Sequence, residues 1–391
     1  MTSLRQITLL WKLTPWCANS NKPQLVEVTP SVSRMHPKRG CHACNNRPRW
    51  LDTVWPNWSR TRIDEFMNQN SSSRQTSVDA PAGNSSALGN ASSAASARSS
   101  SRLHNVFFGP SELRPGWRLV IFVVIVAGFM FVKAAVMRTL HFTDMAFTYL
   151  AEKILKFAVF LLATWIMTRI EARTISDYGL PWRKMFGRQF WQGAVAAFIG
   201  LGGFLAALRV AGLFHLGGMT LHGSEIWKWG TLYGFGFIVV ALEEEFHYRG
   251  YGLYTLTQAT GFWPAAALSS AIFGYSHIGN PGENWLGIVN AGAGGLLFCL
   301  LLRRSGNLWM PIGFHAAWDW AQSYFYGIPD SGRTLPGHLL NGNFVGPAWL
   351  TGGMVGPEGS LLLTLLLILF WVGASAFLRE VRYPNPASFA R

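Results

Sequence analysis

Residues 238–252, IVVALEEEFHYRGYG, place three consecutive carboxylates, Glu243, Glu244 and Glu245, directly after an apolar stretch, and Arg249 and Gly250 follow them. An ionised carboxylate at the centre of a membrane helix costs about 2.5 to 3.5 kcal/mol on insertion scales, so a chain carrying three together must give them partners or water. In a helix, Glu245 and Arg249 share a face and can pair, while Glu244 is turned about 100° away. Such a pair would order the helix end and leave Glu244 available for chemistry.

The surrounding composition decides which environment these carboxylates meet. Of 391 residues, 50% are apolar or aromatic and only 13% are charged, against about 25% charged in soluble domains. The apolar residues concentrate after residue 118, which predicts an integral, multi-pass membrane protein. A formal net charge of +14 would suit nucleic acid, but Lys and Arg gather in the first 118 residues and at the ends of apolar runs. That is the positive-inside pattern, and it argues for a lipid bilayer as partner and against nucleic acid. Four cysteines, Cys17, Cys41, Cys44 and Cys299, make no disulfide framework in a chain of this length. Cys41 and Cys44 have the spacing of half a zinc site without a second pair.

Two regions follow from this division. Residues 1–110 form a basic N-terminal extension with a Ser, Ala and Asn-rich tract near 70–101, which has too little apolar surface to fold and is expected to be disordered. Residues 111–385 are expected to be membrane-embedded, an all-α polytopic bundle of about eight spans near 119–136, 154–170, 191–214, 227–245, 263–278, 285–302, 308–325 and 361–378. Glycines at 193, 200, 202 and 203 in the third span should let neighbouring helices approach closely. Basic residues before span one, between two and three, between six and seven and after eight put both termini in the cytoplasm, most simply at the plasma membrane. The Gly and Pro-rich segment 326–358 is too long for an ordinary connection. Trp349 and Leu350 suggest that it packs on the bundle as a cover, and an extracytoplasmic linker is the alternative.

Three separate spans carry ionisable groups: Glu243 to Glu245 with Arg249, then His277, then His315 with Asp319. Each needs a partner in an apolar setting, and the nearest partners are one another. Phe273 and His277 are four apart, as are His315 and Asp319, so each pair can share a helix face. A site holding Glu, His, His and Asp could bind zinc through His277, His315 and Glu244, or could activate water without metal. Neither H-E-x-x-H nor its inversion is present.

The segments Glu244-Glu245-Phe-His-Tyr-Arg249-Gly250, Phe273-Gly-Tyr-Ser-His277 and His315-Ala-Ala-Trp-Asp319 occur in that order on successive apolar runs. They resemble the motifs EExxxR, FxxxH and HxxxN/D of the CAAX protease and bacteriocin-processing (CPBP, or Abi) family of intramembrane proteases. Asp177-Tyr-Gly-Leu180 and residues 353–360 resemble the family's flanking segments, and the likeness covers about residues 107–380. The resemblance implies an eight-helix bundle whose site cleaves peptides near the membrane face, acting on a membrane-associated or lipid-tailed protein. It implies that Glu244 with His277 activates water, that His315 with Asp319 steadies the oxyanion, and that Glu245 and Arg249 order the site. Where the prenyl-protein processing members more often carry Asn, this chain has Asp319. An ionised Asp319 would repel an oxyanion unless it is protonated, holds His315 as a charged donor, or ligates a metal.

An endopeptidase, whether glutamate or metallo type, is therefore the leading functional expectation. A non-enzymatic membrane scaffold or immunity-type protein on the same fold is the alternative, although a scaffold has no physical need for buried Glu and His in register. A proton-coupled transporter is a third reading; against it, the two halves show no repeat and no matching broken helices.

Overall fold

The computed structural model describes residues 107–108, 113–140 and 145–384. The expected disordered extension, with Cys41 and Cys44, lies outside the described residues.

A membrane-type helical bundle follows the apolar runs in order. It comprises α1 (Pro115–Thr139), α2 (Met145–Glu171), α3 (Arg188–Val210), α4 (Ser224–Arg249), α5 (Tyr251–Thr260), α6 (Phe262–Tyr275), α7 (Trp285–Ser305) and α8 (Trp309–Trp320). A short α9 (Ala348–Thr351) and α10 (Leu361–Phe377) follow. Local chemistry sets several ends. Pro115 opens α1, where a missing N–H costs nothing. The Asn284 side chain accepts from the Gly287 N–H at 2.9 Å and caps α7. Gly306, at φ 86°, closes the same helix after Arg303 and Arg304.

Each of the eight expected spans coincides with a helix, but they are not eight equal crossings. Among the described residues, three helices, α1, α3 and α7, are long and apolar enough to cross a bilayer, and α10 is apolar but shorter at 17 residues. Helices α2 and α4 carry charge in their apolar stretch, while α6 and α8, at 14 and 12 residues, fall short of the roughly 20 that a hydrocarbon core requires. Helix α8 continues directly into a π-helical turn, Ala321–Tyr326.

The all-α expectation needs amending. Two strands, β1 (Phe214–Met219) and β2 (Leu340–Phe344), pair antiparallel, with Phe214 opposite Phe344 and a bulge between Leu216 and Met219. Their sequences, FHLGGM and LNGNF, have no sustained apolar alternation, so each strand depends on its distant partner rather than on its own pattern.

Two apolar cores occupy the bundle, one holding Phe122, Phe160, Met167, Tyr251 and Trp309 and the other Leu201, Leu205, Leu297, Leu301 and Phe314. Helix α8 contributes to both, with Trp309, Ile312 and Ala316 on one side and Met310, Phe314 and Trp318 on the other. It is buried nearly all round, as a helix apolar on every face requires. Away from α8, Glu171 at the end of α2 accepts from Arg118 and from the hydroxyls of Tyr178 and Tyr251, binding α1, α2 and α5 together.

The close approach expected of the third span is realised at Gly193. A Cβ there would collide with the Met310 carbonyl, and reciprocally a Cβ on Gly313 would collide with the Phe190 carbonyl. Gly200 makes room for the Phe370 ring, whereas Gly203 has nothing within 4 Å. Helices α3 and α8 thus cross backbone to backbone. Gly313→Ala should therefore cost about 1 to 3 kcal/mol through overpacking, seen as a lower thermal midpoint in detergent. Gly203→Ala should leave the midpoint unchanged or raise it, because only the helix-propensity gain remains.

Candidate active site

The site begins where α4 stops. Gly250 breaks the helix at a point where a Cβ would collide with the Phe246 carbonyl, and the chain restarts as α5. Just before the break, Arg249 turns back to Glu245 (NH1 to Oε1, 3.2 Å), and both residues are wholly buried. The guanidinium lies 4.3 Å from the Phe273 ring centroid and 5.5 Å from that of Phe298, so aromatic faces offset part of its lost hydration. Gly295 on α7 provides the room: a Cβ there would stand 2.5 Å from the Arg249 NH2 and 3.1 Å from Phe273. The expected pairing of Glu245 with Arg249 is thus present.

Glu245 also reaches across to α8. Its Oε1 lies 3.0 Å from His315 Nδ1, and the His315 ring stacks on Phe298 at 5.1 Å. The other ring nitrogen, Nε2, is 3.6 Å from Asp319 Oδ2 and 3.8 Å from Glu244 Oε2. Both nitrogens of His315 therefore face carboxylate oxygens, an arrangement satisfied when both carry protons. The two α8 residues are largely buried. Glu244 is only partly buried, turned from Glu245 as helical geometry requires.

His277 stands differently from expectation. Helix α6 ends at Tyr275, so His277 lies in the turn beyond it rather than on the helix face. Tight backbone bonds from the Ser276, His277 and Ile278 N–H groups to Ile272, Gly274 and Tyr275 close the end. The Phe273 contact survives all the same, with ring centroids 4.7 Å apart. His277 Nδ1 lies 2.8 Å from the Phe273 carbonyl. A carbonyl can only accept, so Nδ1 carries a proton, and in the neutral ring Nε2 is then the acceptor.

A cavity of about 80 Å³ adjoins this group, lined by His277, His315, Asp319, Glu283, Asp330, Glu358 and an apolar wall that includes Phe298, Phe314, Leu363 and Leu367. Asp330 and Glu358 come from the long segment after α8, which therefore covers part of the site. Asn290 on α7 donates to the Glu358 and Ser360 carbonyls at 2.8 Å each. Trp318 Nε1 donates to Glu358 Oε1 at 2.9 Å, and the Ser323 hydroxyl donates to Asp330 at 3.1 Å. Trp349 is not the anchor; it is 54% exposed.

Several participants escaped the sequence reading. Lys153 on α2 reaches Glu244 Oε1 at 2.5 Å and Glu243 at 3.2 Å, and Lys156 reaches Glu243 at 2.9 Å. Glu243, which had no assigned part, is wholly buried between these lysines and His247. Charged residues at the start of an apolar helix are the available sequence signal, with Lys153 just before the 154–170 run and Lys156 within it. As for zinc through Glu244, His277 and His315, among the described residues no group of three His, Cys, Asp or Glu side chains is close enough to hold an ion. A lysine ammonium already sits on Glu244.

Apolar helices thus surround a partly open group of Glu, His and Asp side chains, as in an integral membrane protein that holds a polar site among its helices. The family model for type II CAAX prenyl endopeptidase Rce1-like proteins matches residues 225–321, the interval from the start of α4 to the end of α8. The resemblance read from the three motifs is borne out there, and that family implies protease activity. No curated protein and no solved structure matches the chain.

The cover's two carboxyls lie outside the spanning helices. Burial, reinforced by Asp330, pushes Glu358 up to about 8, and burial raises Asp330 to about 6. For a carboxyl raised on folding, the stability it leaves intact at acid pH is lost as pH climbs from the unfolded value to the folded one. The wild-type thermal midpoint should therefore fall between pH 5 and pH 8.5. Glu358→Gln, which keeps the oxygen that accepts from Trp318, should fall less across the same window.

Proposed function

We propose that this protein is an intramembrane endopeptidase that hydrolyses a peptide bond near the C-terminus of a prenylated, membrane-associated protein, with Glu244 as general base. The single observation that carries the reading is the meeting of Glu244, His315 and Asp319 from α4 and α8 around His315 Nε2, next to a cavity that His315 and Asp319 line together with His277 and an apolar wall. The polar side suits a peptide group, and the apolar wall suits a lipid tail.

Glu244 Oε2 takes a proton from water while the water oxygen attacks the scissile carbonyl carbon. The His277 Nε2 lone pair accepts the second water proton as a hydrogen bond and orients the nucleophile. His315, gripped at Nδ1 by Glu245, donates from Nε2 to the developing oxyanion. Collapse breaks the carbon–nitrogen bond, and the proton held by Glu244 passes to the leaving amide nitrogen. Asp319 serves as the partner that keeps His315 a donor, which accounts for Asp in place of Asn better than a direct oxyanion contact would. No step is routed through zinc: water activation is given to Glu244 and His277, and the Lys153 ammonium on Glu244 Oε1 already offsets that carboxylate's charge.

Glu244→Gln should lower kcat on an internally quenched farnesylated CAAX peptide by about a thousandfold, with the protein still folded in detergent; a retained kcat would sink the proposal. Asp319→Asn should lose less than Glu244→Gln does. Incubation with 1,10-phenanthroline should leave turnover intact, and a loss restored by added zinc would overturn the metal-free mechanism.

A further inference from the structure

We infer that Lys153 is a positioning residue for the reaction, holding Glu244 by one oxygen so that the other faces the water and His315. The inference rests on the reading of Glu244 as general base and adds a contribution from α2, outside residues 225–321.

The geometry separates the two carboxylate oxygens. Oε1 is bound by Lys153 Nζ at 2.5 Å, and Oε2 is the one that faces His315 Nε2 at 3.8 Å. A glutamate side chain has three soft torsions, and Glu244 is only partly buried. A charge-assisted bond to one of its oxygens selects one setting of those torsions. Lys153 is itself held in place, with a side chain 13% exposed and an ammonium 5.5 Å from the Tyr149 ring centroid.

Neutralisation of Glu243 is the structural duty that could explain Lys153 without any part in turnover. Lys156 at 2.9 Å and His247 at 3.5 Å also face Glu243, so its charge keeps a cation without Lys153, although Lys153 gives Glu243 Oε2 a hydrogen bond at 3.2 Å, the longer of the two that it makes to these carboxylates. The stronger bond goes to the catalytic carboxylate. Tyr149 also receives Arg333 of the cover, at 5.2 Å, so one turn of α2 touches both the base and the segment roofing the cavity.

The test compares Lys153→Ala, Lys153→Gln and Glu244→Gln on the farnesylated peptide in detergent. Lys153→Ala should lower kcat by about a hundredfold, the usual cost of misplacing a reacting group by about 1 Å, while KM stays within about threefold. Added ethylammonium should restore part of kcat, and ethanol should not, because the missing element is a cation of defined size. Should Lys153→Ala fail to accumulate folded, Lys153→Gln is read on the same scale. A kcat within about threefold of wild type, or a loss that ignores ethylammonium, overturns the assignment. An active Glu244→Gln would overturn the underlying mechanism, and an inactive Glu244→Gln beside a normal Lys153→Ala would overturn only the part given to Lys153.

Discussion

One carboxylate, Glu245, holds the two halves of the site together. It binds Arg249 on its own helix and His315 on α8, and it is entirely excluded from solvent. Removing one partner from a buried ion pair typically costs about 3 to 5 kcal/mol, because the remaining charge is stranded. The structure meets this constraint group by group: Glu243 with Lys153 and Lys156, Glu244 with Lys153, Glu245 with Arg249, and Asp319 with His315. The three adjacent glutamates are tolerable because three cations, two of them from α2, are brought to the same depth.

That matching requires helices to be close, which is where the glycines enter. Gly193 and Gly313 let α3 press against α8, Gly274 lets α6 approach the α7 backbone, with Ile288 O only 2.6 Å from where a Cβ would stand, and Gly295 leaves a pocket for the guanidinium. Side chains of ordinary size at these positions would hold the helices apart, and ring-to-carboxylate distances near 3 Å could not be kept. Packing and chemistry are therefore coupled through α8, which carries His315 and Asp319 between two apolar cores.

Much of the site was legible in the sequence because its spacings are local. Glu245 with Arg249, and His315 with Asp319, meet through the i, i+4 geometry of a helix, and the order of motifs announced a shared site. What escaped was non-local or irregular. The lysines of α2 lie some ninety residues before the carboxylates they bind, and no pattern within α2 points to a particular glutamate. His277 was placed on a helix because apolar residues continue past Tyr275, although the backbone had already turned. The carboxyls of the cover, Asp330 and Glu358, are ordinary loop residues until the chain is folded over the cavity. The strands failed for the same reason: each is defined by the other.

The strand pair has a wider effect on the molecule. Pairing residues 214–219 with 340–344 cinches a stretch of more than a hundred residues at its neck, and that stretch contains all three motifs. A non-covalent clasp of this kind acts in the manner of a cross-link, since the cost of joining distant ends grows only with the logarithm of the length between them. The motif-bearing portion is accordingly drawn into a single loop whose mouth lies at the ribbon.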